Sequence, residues 1–191
     1  ALAAEWQPVD LPHDWLIRQA EDLYETADAW YGRILTFREA DAARTLIRFD
    51  GVYMDCDVLL NGEQICTHPY GYTAFDAELT GKLRKGDNTL MVHIRHRSPN
   101  TRWYSGSGIF RDVTLVRLPE DHLIPDGIVT KTTRGKDGWT LEITAETRGE
   151  GTLLATLKDG RGRKIAGEDG IVAKGKAKLR LRVPGGHPWS P

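Results

Sequence analysis

Short strand-type runs are the feature that most limits the folds open to this chain. Runs of Val, Ile, Leu, Thr and aromatic residues recur through the first 118 residues, separated by turn residues such as Asn61-Gly62. Many short strands with frequent turns are typical of β-sandwiches and jelly rolls. The chain is therefore predicted to be all-β. The runs are RILTF (33–37), TLIRFDGVY (45–53), CDVLLNGEQI (56–65), TLMVHIRH (89–96) and DVTLVRL (112–118).

A change of pattern after Leu118 predicts two domains. Pro119 and Pro125 interrupt the strand rhythm, which then resumes. Fourteen of the 16 aromatic residues lie in 1–118, which also favours two units of different character. We expect a sandwich or jelly roll up to Leu118 and a small immunoglobulin-like sandwich after it. The later runs are GIVTKTT (127–133), WTLEITAET (139–147), TLLATLKDGRGRKIA (152–166) and AKLRLRV (177–183).

Length, charge and hydropathy exclude several classes of protein. The 191 residues are too few for a (β/α)₈ barrel, which needs roughly 250. The net charge of −1 has no basic excess of the kind that nucleic-acid binding requires. No apolar run approaches the roughly 20 residues of a membrane span, and no signal-peptide pattern opens the chain. We expect no nucleic-acid or membrane partner and a bacterial cytoplasmic location. A secreted or periplasmic location stays open, because the first residues resemble the middle of a protein.

The two cysteines flank a predicted hairpin. A two-residue turn at Asn61-Gly62 would place Leu60 opposite Glu63 and Asp57 opposite Cys66. In that register Cys56 and Cys66 point to opposite faces of the sheet. Both are expected to be reduced structural thiols, which suits the cytoplasm.

Motifs for metal, phosphate and nucleophilic chemistry do not occur in the sequence. His93 and His96 are three residues apart on a predicted strand, so they should face opposite sides of the sheet and share no metal. The sequence contains no Cys-x-x-Cys, His-Glu-x-x-His, Gly-x-Gly-x-x-Gly or Gly-x-Ser-x-Gly motif. We therefore expect no metal and no cofactor in this chain. Acid–base pairs of carboxylates depend on their separation in space, which the sequence alone does not provide.

The stretch 100–113 stands out by its chemistry. It combines the guanidinium of Arg102 with the large aromatic rings of Trp103 and Tyr104, followed by flexible glycines. An aromatic face suits the C–H face of a sugar, and an arginine donates directional hydrogen bonds to hydroxyls. The alternative is a β-bend with buried aromatics and an Arg111–Asp112 surface pair, and composition alone favours that structural interpretation.

The same stretch, RWYSGSGIFRDV (102–113), resembles a characteristic segment of the β-galactosidases of glycoside hydrolase family 2. Further matches follow in the order of that family and cover nearly all of 1–118 and the extreme C-terminus. The sequence departs from the family at Ala29, where Gly is usual, at Gly32, where Arg is frequent, and at Ala74, where Pro is usual; these changes concern turn geometry and leave the resemblance intact. The other matching segments are Leu11-Pro12-His13-Asp14-Trp15, Ala29-Trp30-Tyr31, Phe49-Asp50-Gly51-Val52, Val58-Leu59-Leu60-Asn61-Gly62, Gly71-Tyr72-Thr73-Ala74-Phe75, Gly86-Asp87-Asn88-Thr89-Leu90 and His187-Pro188-Trp189-Ser190-Pro191.

This resemblance implies a galactose-binding-like jelly roll at 1–118, an immunoglobulin-like sandwich at 119–186 and a connector at 187–191 leading to a (β/α)₈ barrel with two catalytic glutamates. The family's acid–base Glu follows an Asn, and no Asn-Glu pair occurs in this sequence. The chain alone is therefore expected to be inactive. The full-length parent would be a retaining glycosidase that hydrolyses terminal β-D-galactosides in carbohydrate metabolism.

The resemblance also implies substrate-binding residues. Arg102 is expected to donate two hydrogen bonds to adjacent sugar hydroxyls, and Trp103 and Tyr104 to shape the wall of the pocket. Asp14 is a second polar candidate. For Arg102 the alternative role is pairing across a domain interface. For Asp14 the stronger alternative is a carboxylate that caps backbone amides in a tight turn.

Three other functions stay open from the sequence. The same family includes enzymes that act on β-glucuronides or β-mannosides. A second alternative is a stand-alone carbohydrate-binding module. A third is a structural module that supports the barrel or a subunit interface. The expected partner is a carbohydrate held together with the barrel, and a homo-oligomeric parent is left open.

Overall fold

β-Strands make up nearly all the regular structure of the chain. The computed structural model describes residues 6–18, 24–38, 44–100 and 106–185. The chain divides into two compact units, Ala1–Arg117 and Leu118–Pro191. Among the described residues the one helical element is a 3₁₀ turn, Leu16–Arg18, and every other element is a strand. The all-β prediction is confirmed.

The described residues of the first unit form seven strands in two sheets. Side chains of a strand alternate between the two faces of its sheet, so about half of them face the core. One sheet has the strand order β1-β6-β3-β4 and the other has the order β5-β2-β7. The strands are β1 (Ala27–Phe37), β2 (Arg44–Phe49), β3 (Cys56–Leu60), β4 (Glu63–His68), β5 (Phe75–Glu78), β6 (Gly86–His96) and β7 (Val113–Leu118).

The core of the first unit is formed by residues from both sheets. In β6 every second side chain from Asn88 to His96 is buried, as the period of a strand requires. Phe49 of β2 and Val58 of β3 are also buried, with 1% and 0% of their surface exposed. Burying large apolar side chains such as these stabilises the fold by about 1.5–3 kcal/mol each. The remaining buried cluster residues are Ile47, Val52, Cys56, Leu60, Ala77, Leu79, Leu90, Val92, Ile94 and Ile109.

The second unit is a smaller pair of sheets. A three-stranded sheet has the order β12-β9-β8, and β10 pairs with β11 as a hairpin. In β12 buried and exposed residues alternate strictly, and Leu179 and Leu181 pack on apolar residues of β9 and β10. Asp159 shapes the β10–β11 turn, since its carboxylate accepts the amides of Arg161 and Arg163 at 2.9 Å each. The strands are β8 (His122–Gly135), β9 (Gly138–Arg148), β10 (Thr152–Lys158), β11 (Lys164–Ile171) and β12 (Lys176–Val183).

The hairpin of β3 and β4 corrects the cysteine prediction. Leu60 pairs with Glu63 as expected, but an irregularity between Val58 and Leu59 shifts the ladder by one residue. Val58 is therefore opposite Cys66, and the predicted pairing of Asp57 with Cys66 is wrong. Because Cys56 and Val58 share a face, Cys56 and Cys66 lie on the same face rather than on opposite ones. Both are free thiols, and burial raises the pKa of the Cys56 thiol to about 12.

Among the described residues no helix is long and apolar enough to cross a bilayer.

Candidate functional site

Two segments that are distant in the sequence meet at one end of the first unit. The backbone amide of His13 donates to the carbonyl of Ile109 at 2.7 Å. Ser107 Oγ, which is fully buried, donates to Asp14 Oδ1 at 2.7 Å across 93 residues of sequence. We call this contact between residues 11–17 and 106–110 the loop pair. It forms part of the edge where the sequence predicts sugar recognition.

Asp14 organises its side of the loop pair. Its Oδ1 accepts the backbone amides of Leu16 at 3.0 Å and Ile17 at 3.3 Å, as the carboxylate of an N-cap residue does. The Leu16 amide also donates to Ser107 Oγ at 3.1 Å. Asp14 therefore fixes the 3₁₀ turn and the distant loop through one carboxylate oxygen, which is the capping role weighed from the sequence.

Gly108 allows the two loops to come together. Its φ is +90°, a conformation that residues with a Cβ rarely adopt. A Cβ at this position would lie 2.8 Å from the His13 carbonyl oxygen and 3.1 Å from the Trp15 ring, and it would overlap Tyr31 Oη. Gly108 also exchanges both backbone hydrogen bonds with Tyr53, at 2.9 and 3.0 Å. Only glycine fits where the loop crosses so close to its neighbours.

Tyr31 and His13 form a second link between β1 and the loops. Tyr31 Oη lies 2.7 Å from His13 Nδ1, and the two rings meet edge to face with centroids 5.8 Å apart. Burial raises the pKa of Tyr31 to about 12. The phenol therefore keeps its proton at neutral pH and acts as a neutral hydrogen-bonding group rather than as a base.

An open cleft lies beside the loop pair. Its volume is about 630 Å³, large enough for a sugar ring. Its lining includes the carboxylates of Asp10 and Asp14, the ring of Phe110 and the exposed side chain of Ile17. The described lining residues include neither lysine nor arginine. Carboxylates accept hydrogen bonds from hydroxyls, and an aromatic ring packs on C–H groups, so the cleft has the chemistry to hold a polyhydroxylated ligand.

The residues expected from the sequence are only partly covered by the structure. Asp14 lies at the cleft, whereas Arg102, Trp103 and Tyr104 lie outside the described residues. The sequence analysis missed Ser107, Tyr31 and His13, although all three occur within the segments that resemble the family. Their pairing depends on tertiary contact, which single motifs do not reveal. Where the chain is described, no group of three or more His, Cys, Asp or Glu is placed to hold a metal ion.

Comparisons with known proteins agree with this picture. Residues 8–119 match the family model "Glycosyl hydrolases family 2, sugar binding domain". A β-galactosidase of Bacteroides ovatus is 33% identical over 182 residues, which cover 85% of this chain and 21% of that protein. A β-glucuronidase of Bacteroides fragilis is 32% identical over 130 residues, which cover 61% of this chain and 18% of that protein.

A solved structure shows the same fold. A glycosyl hydrolase family 2 member from Bacteroides cellulosilyticus superposes with a TM-score of 0.82 at 25% identity, covering 99% of this chain and 29% of the other. The chain spans about a fifth of the length of the curated relatives that it matches. The family match covers more than half of the sequence and includes the whole loop pair. The chain therefore belongs to glycosyl hydrolases family 2, with the sugar binding domain of that family at residues 8–119.

Proposed function

We propose that this chain forms part of the wall of the terminal-sugar pocket in a β-galactosidase-type glycosidase of the retaining class. The observation that carries the proposal is the loop pair, in which Asp14 and Ser107 hold residues 11–17 against residues 106–110 beside the cleft. Arg102, Trp103 and Tyr104 lie two to four residues before Gly106 in the sequence. A wall held on both sides by buried hydrogen bonds is suited to a precise binding role.

The proposed roles follow the chemistry of each side chain. Arg102 donates two hydrogen bonds to adjacent hydroxyls of the sugar, which a planar guanidinium does and an ammonium does not. Trp103 and Tyr104 cover the apolar face of the ring. Asp14 lies at the edge of the cleft and presents a carboxylate to hydroxyl donors.

In this proposal, the catalytic carboxyl groups that cleave the glycosidic bond belong to the barrel of the longer protein. Two carboxyl groups about 5 Å apart would form and then hydrolyse a glycosyl-enzyme intermediate. The chain described in this structure binds, orients and shields the terminal sugar, and it supports the barrel. A reduced cytoplasmic setting is part of the proposal, because Cys56 and Cys66 are both free thiols.

A β-glucuronide is the second candidate substrate, because relatives of comparable identity are named β-galactosidase and β-glucuronidase. A glucuronide carries a carboxylate, so its pocket needs a cation close by. The described lining of the cleft supplies two carboxylates, Asp10 and Asp14, which disfavour that group, whereas Arg102, which the proposal places in the same pocket, would attract it. The resemblance of residues 102–113 to the β-galactosidases is what favours the galactoside.

Replacement of Arg102 tests the proposed pocket. In the longer protein, Arg102→Ala should raise KM and lower kcat/KM for an aryl β-galactoside by about 10- to 100-fold, because a charge-assisted hydrogen bond contributes about 1.5–3 kcal/mol. Arg102→Lys should recover only part of this loss, since an ammonium does not reproduce the fork of donors. Steady-state kinetics of both variants measures the effect.

Arg161→Ala is the matched control. Arg161 lies in an exposed turn of the second unit, so its truncation should leave both kinetic constants unchanged. Unchanged kinetics in Arg102→Ala would show that Arg102 does not contact the sugar, and the proposed wall would lose its main donor.

A further inference from the structure

The outward face of the sheet β1-β6-β3-β4 carries two exposed indoles. Trp30 of β1 has 48% of its surface exposed, and Trp6 has 58%. Soluble proteins normally bury most of a tryptophan side chain, so two half-exposed indoles on one sheet face point to a ligand. We call the surface formed by Trp6 and Trp30, together with Gly32 and His93 against which they pack, the indole face.

Trp30 is held rigidly by its cross-strand neighbour. It pairs with His93 of β6, and the two rings are stacked with centroids 4.3 Å apart and planes 10° apart. The His93 ring covers one face of the Trp30 indole, and the remaining surface of the indole is exposed to solvent. A preordered ring loses little conformational entropy when a ligand packs on it.

Trp6 reaches the same strand because Gly32 has no side chain. A Cβ at Gly32 would lie 3.3 Å from two atoms of the Trp6 ring and 3.1 Å from Met91 Sδ. Trp30 and Gly32 are two residues apart in β1, so both face outward and their Cα atoms are about 6.6 Å apart. The two indoles therefore cover adjacent positions of one strand.

Polar groups surround the stacked pair. His93 Nε2 lies 3.4 Å from Asp28 Oδ2, and His93 Nδ1 lies 3.1 Å from Arg95 Nη1. Arg95 Nη1 also donates to Asp57 Oδ2 at 2.6 Å, and Thr67 Oγ1 donates to Asp57 Oδ1 at 2.7 Å. The hydrogen bond from Arg95 holds the pKa of Asp57 below its usual range, so this carboxylate stays charged. Donors and acceptors are thus fixed in position beside the rings.

This combination selects the class of ligand. Aromatic faces pack on the C–H faces of pyranose rings, while ordered carboxylates, imidazole and guanidinium bond to hydroxyls. Aspartate is depleted in the cores of protein interfaces, whereas Asp28, Asp55 and Asp57 lie beside these rings, which argues against a protein partner on this face. The carboxylates of Asp28, Asp55 and Asp57 are all paired with arginines, Asp28 with Arg97 and the other two with Arg95, so the face suits a neutral ligand rather than an ionic one.

We propose that the indole face is a binding surface for a neutral oligosaccharide of β-linked hexopyranose units, with sugar rings packed on Trp6 and Trp30. This surface goes beyond the proposed function. Tyr31 points inward to the loop pair, whereas its neighbours Trp30 and Gly32 point outward. The indole face would hold a longer chain of a polysaccharide or oligosaccharide, and the loop pair would hold one terminal sugar.

Titration calorimetry of the whole chain with β-1,4-linked galactotetraose and with cellotetraose tests the proposal. At least one probe should bind saturably, and Trp6→Ala and Trp30→Ala should each weaken that binding by about tenfold. Trp30→Tyr keeps an aromatic face and should retain most of the affinity. Ile34→Ala is the matched control, because Ile34 is exposed on the same strand and the same face but has no ring.

The outcomes separate this proposal from the proposed function. Arg102→Ala should leave cellotetraose binding unchanged, because cellotetraose has no terminal galactose for the loop pair, whatever the effect of the variant on the kinetics of the longer protein. Binding of neither probe, or equal binding by wild type and both Trp→Ala variants, would overturn the proposal. It would also be overturned if the Trp→Ala variants changed only the oligomeric state, measured by analytical ultracentrifugation, because the face would then be a contact between copies.

Discussion

Gly108→Ala is expected to lower the free energy of unfolding of the first unit by about 3 kcal/mol or more. The new methyl group would lie 2.8 Å from the His13 carbonyl oxygen, which belongs to backbone and has little freedom to move. Overpacking of this kind costs about 1–3 kcal/mol, and holding alanine at a φ of +90° adds about 1–2 kcal/mol. Urea denaturation followed by tryptophan fluorescence measures the loss, since four of the six tryptophans lie in residues 1–118.

Gly86→Ala separates the two causes. Gly86 has the same φ of +90°, but a Cβ there would meet nothing within 4 Å. Its substitution should cost only the backbone strain, about 1–2 kcal/mol. The difference between the two variants therefore measures the tight crossing of the loop pair. Equal losses at both positions would contradict the close approach on which the loop pair depends.

Asp14→Ala is expected to lower the free energy of unfolding by about 2–3 kcal/mol. The change removes the oxygen that accepts from Leu16, Ile17 and Ser107. Hydrogen bonds to a charged acceptor are worth about 1.5–3 kcal/mol, and the Ser107 hydroxyl would be left buried without this acceptor. Urea denaturation of the purified variant measures the loss.

Two further measurements test the role of Asp14: a double-mutant cycle of Asp14→Ala with Ser107→Ala, and the stability of the variant Asp14→Asn. The coupling energy between Asp14 and Ser107 should be about 1 kcal/mol or more, because the two side chains share one hydrogen bond. Asp14→Asn keeps an acceptor oxygen and should retain most of the stability. If Asp14 also binds sugar through its charge, the same variant should lower kcat/KM in the longer protein. Strict additivity of the single variants would show that the bond across the loops contributes nothing.

Strand periodicity predicted most of the first unit, and the failures have physical causes. The run TLMVHIRH lies within β6, and its alternation places His93 and His96 on opposite faces as expected. The prediction for β1 began at Arg33, whereas the strand begins at Ala27. Alanine and aspartate have low β-propensity, and the strand forms there because β6 pairs along its whole length.

The sequence pattern did not predict two local features, the register shift between β3 and β4 and the short strand β5. The shift in the β3–β4 ladder is one residue long, and nothing in the turn residues Asn61-Gly62 signals it. β5 is only four residues long and includes two acids, so it lacks an apolar run that would mark a strand. Both features arise from packing against neighbouring strands rather than from local propensity.

The sequence indicated which side chains could form the candidate site, but not how those side chains are arranged in space. The sequence singled out Asp14 for either a capping role or a sugar role; its capping contacts are present in the structure, and the sugar role stays a prediction. Its partner Ser107 is 93 residues away, and a contact at that separation depends on the complete fold. Family resemblance located the segment, while the structure added the reason that Gly108 and Ser107 occur in it.

The substrate preference of the longer protein tests the central claim most directly. That claim is that the chain shapes a terminal-sugar pocket of β-galactosidase type. The measurement is kcat/KM for an aryl β-D-galactoside and for the matching aryl β-D-glucuronide under identical conditions. We expect the galactoside to be preferred by about tenfold or more, equivalent to about 1.4 kcal/mol in transition-state binding. Preference for the glucuronide, or hydrolysis of neither glycoside, would contradict the account.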